Sequence, residues 1–292
     1  MGVKSFVVRD KQAGIRADIF VTQKLPDYSR SALKNLFPEH IQINNKMAKT
    51  SYRLRSGDTV KIDDASLSAE PEAIELPILY EDEDVLVLNK PAGVLTHSKG
   101  VLNTEATVAS FIKPKLRDKT LIGNRAGIVH RLDRATSGVI ITAKNQKALQ
   151  WLQKQFSSRR VNKIYLAIVE GVPKPSQAII DAPIERNPKK PQTFKVGSSG
   201  RRAITNYKVI KILNKSSNSY SLLELNPQTG RTHQLRVHLK YIGHPIVGDR
   251  LYSHAGDNLY LHAASLELTL PGGRKMKFEA PDPLIFREFI KQ

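Results

Sequence analysis

Apolar and polar residues alternate with a period of two over long parts of the chain, a pattern that predicts β-strands. The segment 85–89 (VLVLN) is an apolar run typical of a buried strand, and a Lys-Pro-Ala-Gly turn follows it. Four further segments have strand character, namely 163–171, 201–213, 219–226 and 260–270. The chain is therefore predicted to be rich in sheet.

A spacing of three to four residues predicts a smaller number of helices. Over 145–158, Ala148, Leu152 and Phe156 recur every four residues on one helical face. We also predict a helix over 105–113 with Thr104 as its N-cap. Strands that outnumber helices and are joined by long segments indicate an α+β fold with a mixed, mostly antiparallel sheet, not a regular βαβ repeat.

The first 66 residues form a predicted small domain of their own. Helices are predicted over 17–24 and 29–37, the second capped by Ser29, and strands over 40–45 and 59–63. The stretch DDASLSAEPEAIELP then becomes acidic, small and proline-containing, as linkers do. We assign 1–66 to the small domain, 67–76 to a linker and 77–292 to a large domain.

The charge of the chain indicates a polyanionic partner. The 292 residues contain 46 Lys and Arg against 27 Asp and Glu, a formal charge of +19, and they contain no cysteine. The missing thiols exclude disulfides and zinc–thiolate sites. A surface this basic is typical of nucleic-acid binding. With no apolar run long enough to span a bilayer, we expect no membrane association, a cytoplasmic location and a monomer.

The segment HRLDRATSG at 130–138 places Asp133 between Arg131 and Arg134 in a predicted loop before an apolar strand. We expect this carboxylate to be ionised, a state suited to work as a nucleophile or base. The pattern by itself also fits a loop aspartate that pairs with an arginine.

A resemblance decides between these two interpretations. HRLDRATSG is similar to the signature of the RluA-type family of RNA pseudouridine synthases, in which the aspartate is essential. Four further segments match that family in the same order: NKPAGVLTH, KIYLAIVEG, GRTHQLRVHLKYIGHPIVGD and LHAASLEL. The resemblance implies a bent sheet around a catalytic cleft and an isomerase that needs no cofactor and no metal.

The resemblance also implies roles for particular residues. Asp133 would attack the anomeric carbon or remove a sugar proton, and the sequence does not choose between these two mechanisms. Tyr165 would stack on the uracil and assist proton removal from carbon 5. Arg236 would pair with Asp133, with Arg231 as the alternative.

The RNA would be held by basic side chains, with Arg131 occupying the space of a flipped base. In the large domain we assign RNA contacts to Arg131, Arg134, Arg231 and His233. In the small domain we assign them to Arg30, Lys34, Arg53 and Arg55.

The small domain resembles the RNA-binding domain named after ribosomal protein S-four. The resemblance is carried by SRSALKNL and INNKMAKTSYRLRSGDTVKI, and it departs from the usual pattern at IRADIFVTQKL and at Pro38. A domain of this type ahead of such a catalytic domain is typical of the enzymes that modify large-subunit ribosomal RNA, and transfer RNA is the alternative substrate.

Two other classes of protein were weighed against the isomerase. A non-catalytic RNA-binding or ribosome-assembly factor would share the basic surface but would not need Asp133, Tyr165 and Arg236 together. A metal-dependent nuclease needs ligands at regular spacing, whereas His233 and His238 are five residues apart and lie off one helical face.

Overall fold

The computed structural model describes residues 3–26, 30–37, 39–63, 71–98, 105–215, 218–253 and 256–291. The chain divides into two compact units, one of residues 1–75 with 97–127 and one of 76–96 with 128–292. The first boundary lies at the end of the predicted linker, but the sequence did not indicate that 97–127 belongs with the N-terminal segment. The functional division into 1–66, 67–76 and 77–292 stays a prediction.

The first unit contains a four-stranded sheet with strand order β1-β4-β2-β3. Its elements are β1 (Val3–Val7), α1 (Ala17–Lys24), α2 (Arg30–Leu33), β2 (Ile41–Ile43), β3 (Lys46–Met47), β4 (Thr59–Asp63) and α3 (Val108–Ile112). The helix predicted over 17–24 and the strand over 59–63 are confirmed, and the strand predicted over 40–45 is present as the shorter β2. The second predicted helix is α2 followed by a 3₁₀ turn over Lys34–Leu36, and its predicted cap Ser29 lies outside the described residues, as does Pro38.

The core of this sheet follows the predicted alternation. Ile41 and Ile43 are buried on one face of β2, where they join Phe20 and Val21 of α1. Beside them, Asp18 is fully buried and accepts hydrogen bonds from Arg16 and Arg30. These partners lower the pKa of Asp18 to about 2, against the opposing effect of burial.

The helix predicted over 105–113 is shorter than expected. It is α3, which begins at Val108, and Thr107 is its N-cap because its hydroxyl accepts from the backbone N–H of Ser110. The predicted cap Thr104 lies outside the described residues. A threonine three residues later offers the same capping chemistry, which is why the sequence did not distinguish them.

The second unit is built on a nine-stranded sheet with strand order β5-β6-β7-β14-β8-β13-β12-β9, and β15 pairs with β14. Its strands are β5 (Ile78–Glu81), β6 (Val85–Lys90), β7 (Ser137–Ala143), β8 (Asn162–Glu170), β9 (Gln177–Asp181), β12 (Ile204–Lys215), β13 (Asn218–Pro227), β14 (Leu261–Thr269) and β15 (Lys275–Glu279). A separate hairpin consists of β10 (Ile184–Arg186) and β11 (Phe194–Val196). The predicted strands are present.

One strand pair sets the arrangement of this sheet. β14 runs parallel to β7, while every other pairing among the described strands is antiparallel. At the junction, Gly138 has φ of 112°, and a Cβ there would lie 2.2 Å from the carbonyl oxygen of Ala263. Only glycine fits this close approach, so the final residue of the HRLDRATSG segment serves strand packing.

Three helices cover the sheet: α4 (Gln146–Ser157), α5 (Gln234–Tyr241) and α6 (Leu284–Lys291). Asn145 caps α4, whose Ala148 and Leu152 are buried against β7. Leu235 and Leu239 of α5 pack in the same cluster as Ala167 and Val169 of β8. The predicted α+β class with a mixed, mostly antiparallel sheet is confirmed.

Among the helices of the described ranges, none combines the length and the apolar character needed to cross a membrane.

Candidate active site

Asp133 lies in the loop between Leu132 and β7, with its side chain 19% exposed. Its backbone carbonyl accepts from the N–H of Thr136, which closes a turn at the start of the strand. On the other side, the hydroxyl of Thr96 donates to the Leu132 carbonyl at 2.8 Å, and the Leu132 N–H donates back to that hydroxyl at 3.2 Å. The loop is therefore fixed by hydrogen bonds on both sides of the carboxylate.

A buried lysine also fixes this loop. The ammonium group of Lys90 at the end of β6 donates to the carbonyls of Pro91 and Val94 at 2.9 Å and of Arg134 at 3.2 Å. The side chain is fully buried. Burial lowers the pKa of Lys90 to about 7, with the charge of Asp133 opposing and that of Arg134 adding to the decrease. Lys90 thus joins the turn after β6 to the residue that follows Asp133.

The guanidinium of Arg236 faces two carboxylates. Its Nε and Nη2 atoms each donate at 2.7 Å to the two oxygens of Asp249, while Nη1 lies 3.4 Å from Oδ2 of Asp133. The Asp249 side chain is fully buried and that of Arg236 is 8% exposed. The two-bond contact with Asp249 orients the guanidinium plane. In this orientation Nη1 faces Asp133.

Asp249 is held in turn by the chain that follows it. Its Oδ1 accepts from the backbone N–H groups of Leu251 and Tyr252 at 3.0 and 3.2 Å. Gly248 and Asp249 lie in a turn closed by the Asp249 N–H, which donates to the Ile246 carbonyl, and this turn carries the buried partner of Arg236. The preceding Gly248 has φ of 73° and leaves no room for a Cβ beside the Asn258 carbonyl.

His233 is the second group near the Asp133 carboxylate. It precedes α5 in the left-handed conformation with φ of 56°, and its Nε2 lies 3.8 Å from Oδ2 of Asp133. Its Nδ1 is 2.8 Å from the hydroxyl oxygen of Tyr252, which also accepts from the Phe194 N–H at 2.8 Å. Burial is the main reason that the pKa of His233 is lowered.

Asp133, His233 and Arg236 border a cleft of about 550 Å³. Tyr165 of β8 lies in it, on the strand face shared with Ala167 and Val169, as the alternation predicted. Burial, with the nearby charge of Asp133, raises the pKa of Tyr165, so its hydroxyl is protonated at neutral pH. The opposite face of β8 is also covered, because Leu166 and Ile168 pack in the cluster of Phe286 on α6.

The far wall of the cleft is aromatic and basic. His130 stacks on Phe156 with ring centroids 4.6 Å apart, and its Nε2 accepts from the Ile141 N–H at 3.1 Å. Burial, with the charge of Lys163, lowers the pKa of His130 to about 3. Lys163 also lines the cleft, and burial lowers its pKa to about 8. The cleft therefore combines a carboxylate with aromatic and basic side chains, which are suited to a planar base and a phosphate.

The basic residues predicted to bind RNA in this unit are near the cleft. Arg131 is exposed and lines it, as do Arg231 and His233. Arg231 donates to the carbonyl of Arg202 at 3.1 Å, so Arg236 is the motif arginine that contacts Asp133. Arg134 is exposed and its guanidinium lies 3.3 Å from the Gly93 carbonyl.

In the first unit the four predicted RNA contacts differ in their surroundings. Lys34 and Arg55 are exposed. Arg53 is exposed and donates to the Gly14 carbonyl at 3.1 Å. Arg30 is 45% exposed, yet its guanidinium pairs with the buried Asp18, so it stabilises the packing of α1. Their contacts with RNA stay predictions.

His238 lies outside the cleft and has structural partners. His238 is fully buried, with Nδ1 2.9 Å from the Thr205 hydroxyl and Nε2 2.9 Å from the Ala182 carbonyl. Within the described ranges, no group of three or more histidine, aspartate or glutamate side chains is placed to hold a metal ion.

Three residues of the site were not identified from the sequence: Lys90, Asp249 as a partner of Arg236, and Tyr252. Lys90 had a signal, since a lysine at the end of an apolar strand run is unusual for a buried sheet. Tyr252 and Asp249 had none, because a turn aspartate and a nearby tyrosine are ordinary in loops.

Comparison with known proteins relates this geometry to a reaction. The family model described as RNA pseudouridylate synthase matches residues 84–241, more than half of the chain, and the match includes Asp133, Tyr165 and Arg236. The chain belongs to the RNA pseudouridylate synthase family. As a synthase of this family it is an isomerase that converts uridine in RNA to pseudouridine.

Individual relatives agree with the family. An "Uncharacterized RNA pseudouridine synthase" of Aquifex aeolicus is 39% identical over 86% of this chain and 81% of its own length. The "Ribosomal large subunit pseudouridine synthase D" of Borreliella burgdorferi is 35% identical over 96% of this chain and 90% of its own. Among solved structures, "Human RNA Pseudouridylate Synthase Domain Containing 1" is 30% identical over 73% of this chain and 86% of its own, with a TM-score of 0.59.

Proposed function

We propose that this synthase acts on large-subunit ribosomal RNA and that Asp133 is its catalytic carboxylate. The observation that carries the assignment of Asp133 is its position in the cleft, 3.4 Å from Nη1 of an arginine whose Nε and Nη2 atoms donate to a buried aspartate. Arg236 then orients the carboxylate of Asp133. Relatives named for the large ribosomal subunit support the substrate.

The proposed reaction breaks the bond between N1 of uracil and the anomeric carbon, turns the base and joins carbon 5 to the same carbon. The proton on carbon 5 leaves and N1 gains one, so no outside reactant is consumed. Asp133 starts this sequence either by attack on the anomeric carbon or by removal of a sugar proton. The uridine must leave its stack to reach the cleft, at a cost of a few kcal/mol, and we assign to Arg131 the space vacated by the base.

Tyr165 is assigned to the uracil ring. A protonated tyrosine offers an apolar face for stacking, and its hydroxyl can donate a hydrogen bond. The raised pKa of Tyr165 makes the phenolate scarce at neutral pH. We therefore give the ring the principal role, and removal of the carbon 5 proton by this hydroxyl the lesser one.

RNA affinity is proposed to come from many basic contacts: Arg131, Arg134, Arg231 and His233 around the cleft, and Arg30, Lys34, Arg53 and Arg55 in the N-terminal segment, as in an S-four-type domain. The net charge of +19 supports this distribution. We further propose a monomer that works in the cytoplasm without a cofactor.

The test of the substrate is a transcriptome-wide map of pseudouridines in cells that lack the gene, complemented with wild type or with Asp133→Asn. We expect sites in large-subunit ribosomal RNA to be lost and to be restored by wild type only. If the lost pseudouridines were confined to transfer RNA, transfer RNA would replace large-subunit ribosomal RNA as the proposed substrate. Full restoration by Asp133→Asn would refute the catalytic assignment.

The test of the residue uses purified protein. Asp133→Asn keeps the size of the side chain and should lower turnover by at least about 10⁴-fold, as removal of an essential nucleophile or base does. RNA affinity should be kept or slightly increased, because a negative charge leaves a basic cleft. A large loss of affinity would show that Asp133 serves binding or folding instead.

A further inference from the structure

The neutral ring of His233 can carry its proton on either nitrogen, and the hydrogen-bond partners of the two nitrogens determine which one. Neutral histidine has one N–H donor and one acceptor nitrogen, and the partner of one decides the state of the other. Here Nδ1 is 2.8 Å from the hydroxyl oxygen of Tyr252, while Nε2 faces Oδ2 of Asp133 at 3.8 Å.

The surroundings of Tyr252 decide the direction of that hydrogen bond. The hydroxyl oxygen already accepts the Phe194 N–H at 2.8 Å. Its own hydrogen needs an acceptor, and in the part of the chain that the structure describes, its other hydrogen-bond partner is Nδ1 of His233. If Nδ1 carried the proton instead, the hydroxyl would accept twice and its hydrogen would be left in a buried position, since Tyr252 is 4% exposed.

We propose that Tyr252 is a positioning residue that donates its hydroxyl proton to Nδ1 of His233, so that the neutral ring keeps an Nε2–H donor directed at Asp133. Both Arg236 and His233 then face Oδ2 of the carboxylate. They hold this oxygen in place and leave Oδ1 for the reaction. This inference rests on the proposed catalytic role of Asp133.

Several observations favour this arrangement over a plain RNA contact by His233. The ring is only 14% exposed, and it makes edge contacts with the rings of both Phe194 and Tyr252, at centroid distances of 5.6 Å. The residue adopts the left-handed conformation, which is uncommon outside glycine and is concentrated at functional sites. A side chain fixed in this way is suited to orient a neighbour.

The charged groups around His233 favour the neutral ring. Burial has the largest effect and lowers the pKa of His233; the charges of Arg236 and Arg131 lower it further. The charges of Asp133 and Asp249 raise it, but the balance remains a lowered value. A neutral donor orients Asp133 without adding a second full cation beside Arg236.

Tyr252 itself is built into the site. Its ring lies 5.1 Å from the guanidinium carbon of Arg236, and its backbone N–H donates to Asp249. Burial raises the pKa of Tyr252 to about 12, so the hydroxyl retains its proton at neutral pH and can serve as the donor. Tyr252 and Asp249 both lie beyond residue 241, where the match to the family model ends.

The first experiment reads the tautomer directly and needs no substrate. In the full-length chain labelled with ¹⁵N-histidine, the His233 signals are identified by their loss in His233→Asn, a residue that tolerates the left-handed conformation. We expect the Nε2–H tautomer in wild type and a mixture or the Nδ1–H tautomer in Tyr252→Phe. An Nδ1–H tautomer in wild type would overturn the proposal.

The second experiment measures kinetics on an unmodified transcript of large-subunit ribosomal RNA. Tyr252→Phe should lower kcat about 10-fold, the effect of one misplaced hydrogen bond, with KM unchanged. Tyr207→Phe is the matched control, because it removes another buried hydroxyl that donates to a carbonyl, that of Pro175 at 2.9 Å. It should leave kcat unchanged.

A double variant separates positioning from mere packing. If Tyr252 acts through His233, Tyr252→Phe should cause no further loss of kcat in the His233→Asn background. Additive losses, an unchanged kcat in Tyr252→Phe, or an equal loss in Tyr207→Phe would each overturn the proposal. An inactive wild type would instead refute the proposed RNA substrate, and the tautomer measurement would still decide the inference.

Discussion

At the scale of single residues, Lys90 has the clearest consequence for pH dependence. Its pKa in the folded chain is about 7, against an ordinary value of 10.5. Between these two values the unfolded chain binds more protons than the folded one, so the free energy of unfolding rises with pH in this window. We predict a smaller rise in Lys90→Met than in wild type, because Lys163, whose pKa is also lowered, contributes a rise of the same sign in both proteins.

The measurement is urea unfolding at pH 6 and pH 9, followed through the fluorescence of Trp151, the one tryptophan of the chain. Trp151 donates to the Thr269 carbonyl of β14 and so reports on the second unit. At pH 6, Lys90→Met should already differ in activity, because the carbonyls beside Asp133 lose their donor. The difference is the free energy of unfolding of wild type minus that of Lys90→Met. A decrease of this difference as pH rises would contradict the lowered pKa of Lys90.

A matched control exists for the loss of a buried ammonium group. Lys144 is 7% exposed and donates to Glu81 and to the Asp82 carbonyl at 2.7 and 2.8 Å. Lys144→Met should cost stability, about 1–3 kcal/mol for broken buried hydrogen bonds, but should leave turnover intact. Of these two lysines, Lys90 is the one that contacts the loop of Asp133.

Some residues of the site could be predicted from the sequence, and others could not. Asp133 and Arg236 stand in motifs whose residue types indicate chemistry, and the structure brings these two side chains together. Lys90 and Tyr252 act through contacts with backbone groups or with residues far along the chain. Hydrogen bonds of this kind leave no periodicity or spacing in the sequence.

At the scale of elements, the turn after α5 is predicted to control the arginine on that helix. Asp249→Asn keeps the shape of the side chain but removes the charge and replaces one acceptor by a donor. Breaking a buried ion pair of this kind costs about 3 kcal/mol, and Arg236 loses the contact that orients it. We expect a lower free energy of unfolding and a kcat reduced about 10-fold or more.

The control for this change is Asp257→Asn. Asp257 also pairs with an arginine, Arg250, at 3.0 Å, but its side chain is 93% exposed. Exposed pairs contribute little, so both stability and turnover should be unchanged. Equal effects of the two substitutions would show that the buried contact between Asp249 and Arg236 contributes no more than an exposed ion pair.

Elements with a strong repeat were predicted well, and weaker ones were not. The four-residue spacing of α4 is confirmed because one buried face determines it, and β8 is present although both of its faces are covered. The short hairpin of β10 and β11 was missed, since three-residue strands carry too few positions for a period. The helix at 105–113 was too long because Thr104 and Thr107 are equivalent as caps.

At the scale of the whole molecule, the distribution of positive charge predicts how RNA binding responds to salt. Lys34 and Arg55 are exposed in the N-terminal segment. Replacing both by Gln should lower the slope of log affinity against log salt concentration by about 1.5, since each phosphate contact contributes about 0.7–0.9. Binding titrations at several salt concentrations measure this slope.

Substitution is a sharper test here than removal of residues 1–66, because residues 97–127 belong to the same compact unit. The control replaces Lys275 and Lys277, which pair with Glu267 and Glu279 on β14 and β15, by Gln. Its slope should match that of wild type. An unchanged slope in the Lys34 and Arg55 variant would remove these residues from RNA binding.

The class of the fold followed from strand content, but the order of its strands did not. Antiparallel neighbours along the chain, such as β12 and β13, are the default for short connections. The insertion of β14 between β7 and β8 joins segments more than 90 residues apart, and alternation within a strand does not report its distant partner.

The central position of β14 has a consequence during protein synthesis. Asp133 precedes β7 and Tyr165 lies on β8. The strand between β7 and β8 in the sheet is β14, which ends at Thr269. While the ribosome still holds that segment, the nascent chain has both residues but not the strand that places them side by side. Truncated products of interrupted translation that lack β14 therefore lack an assembled site.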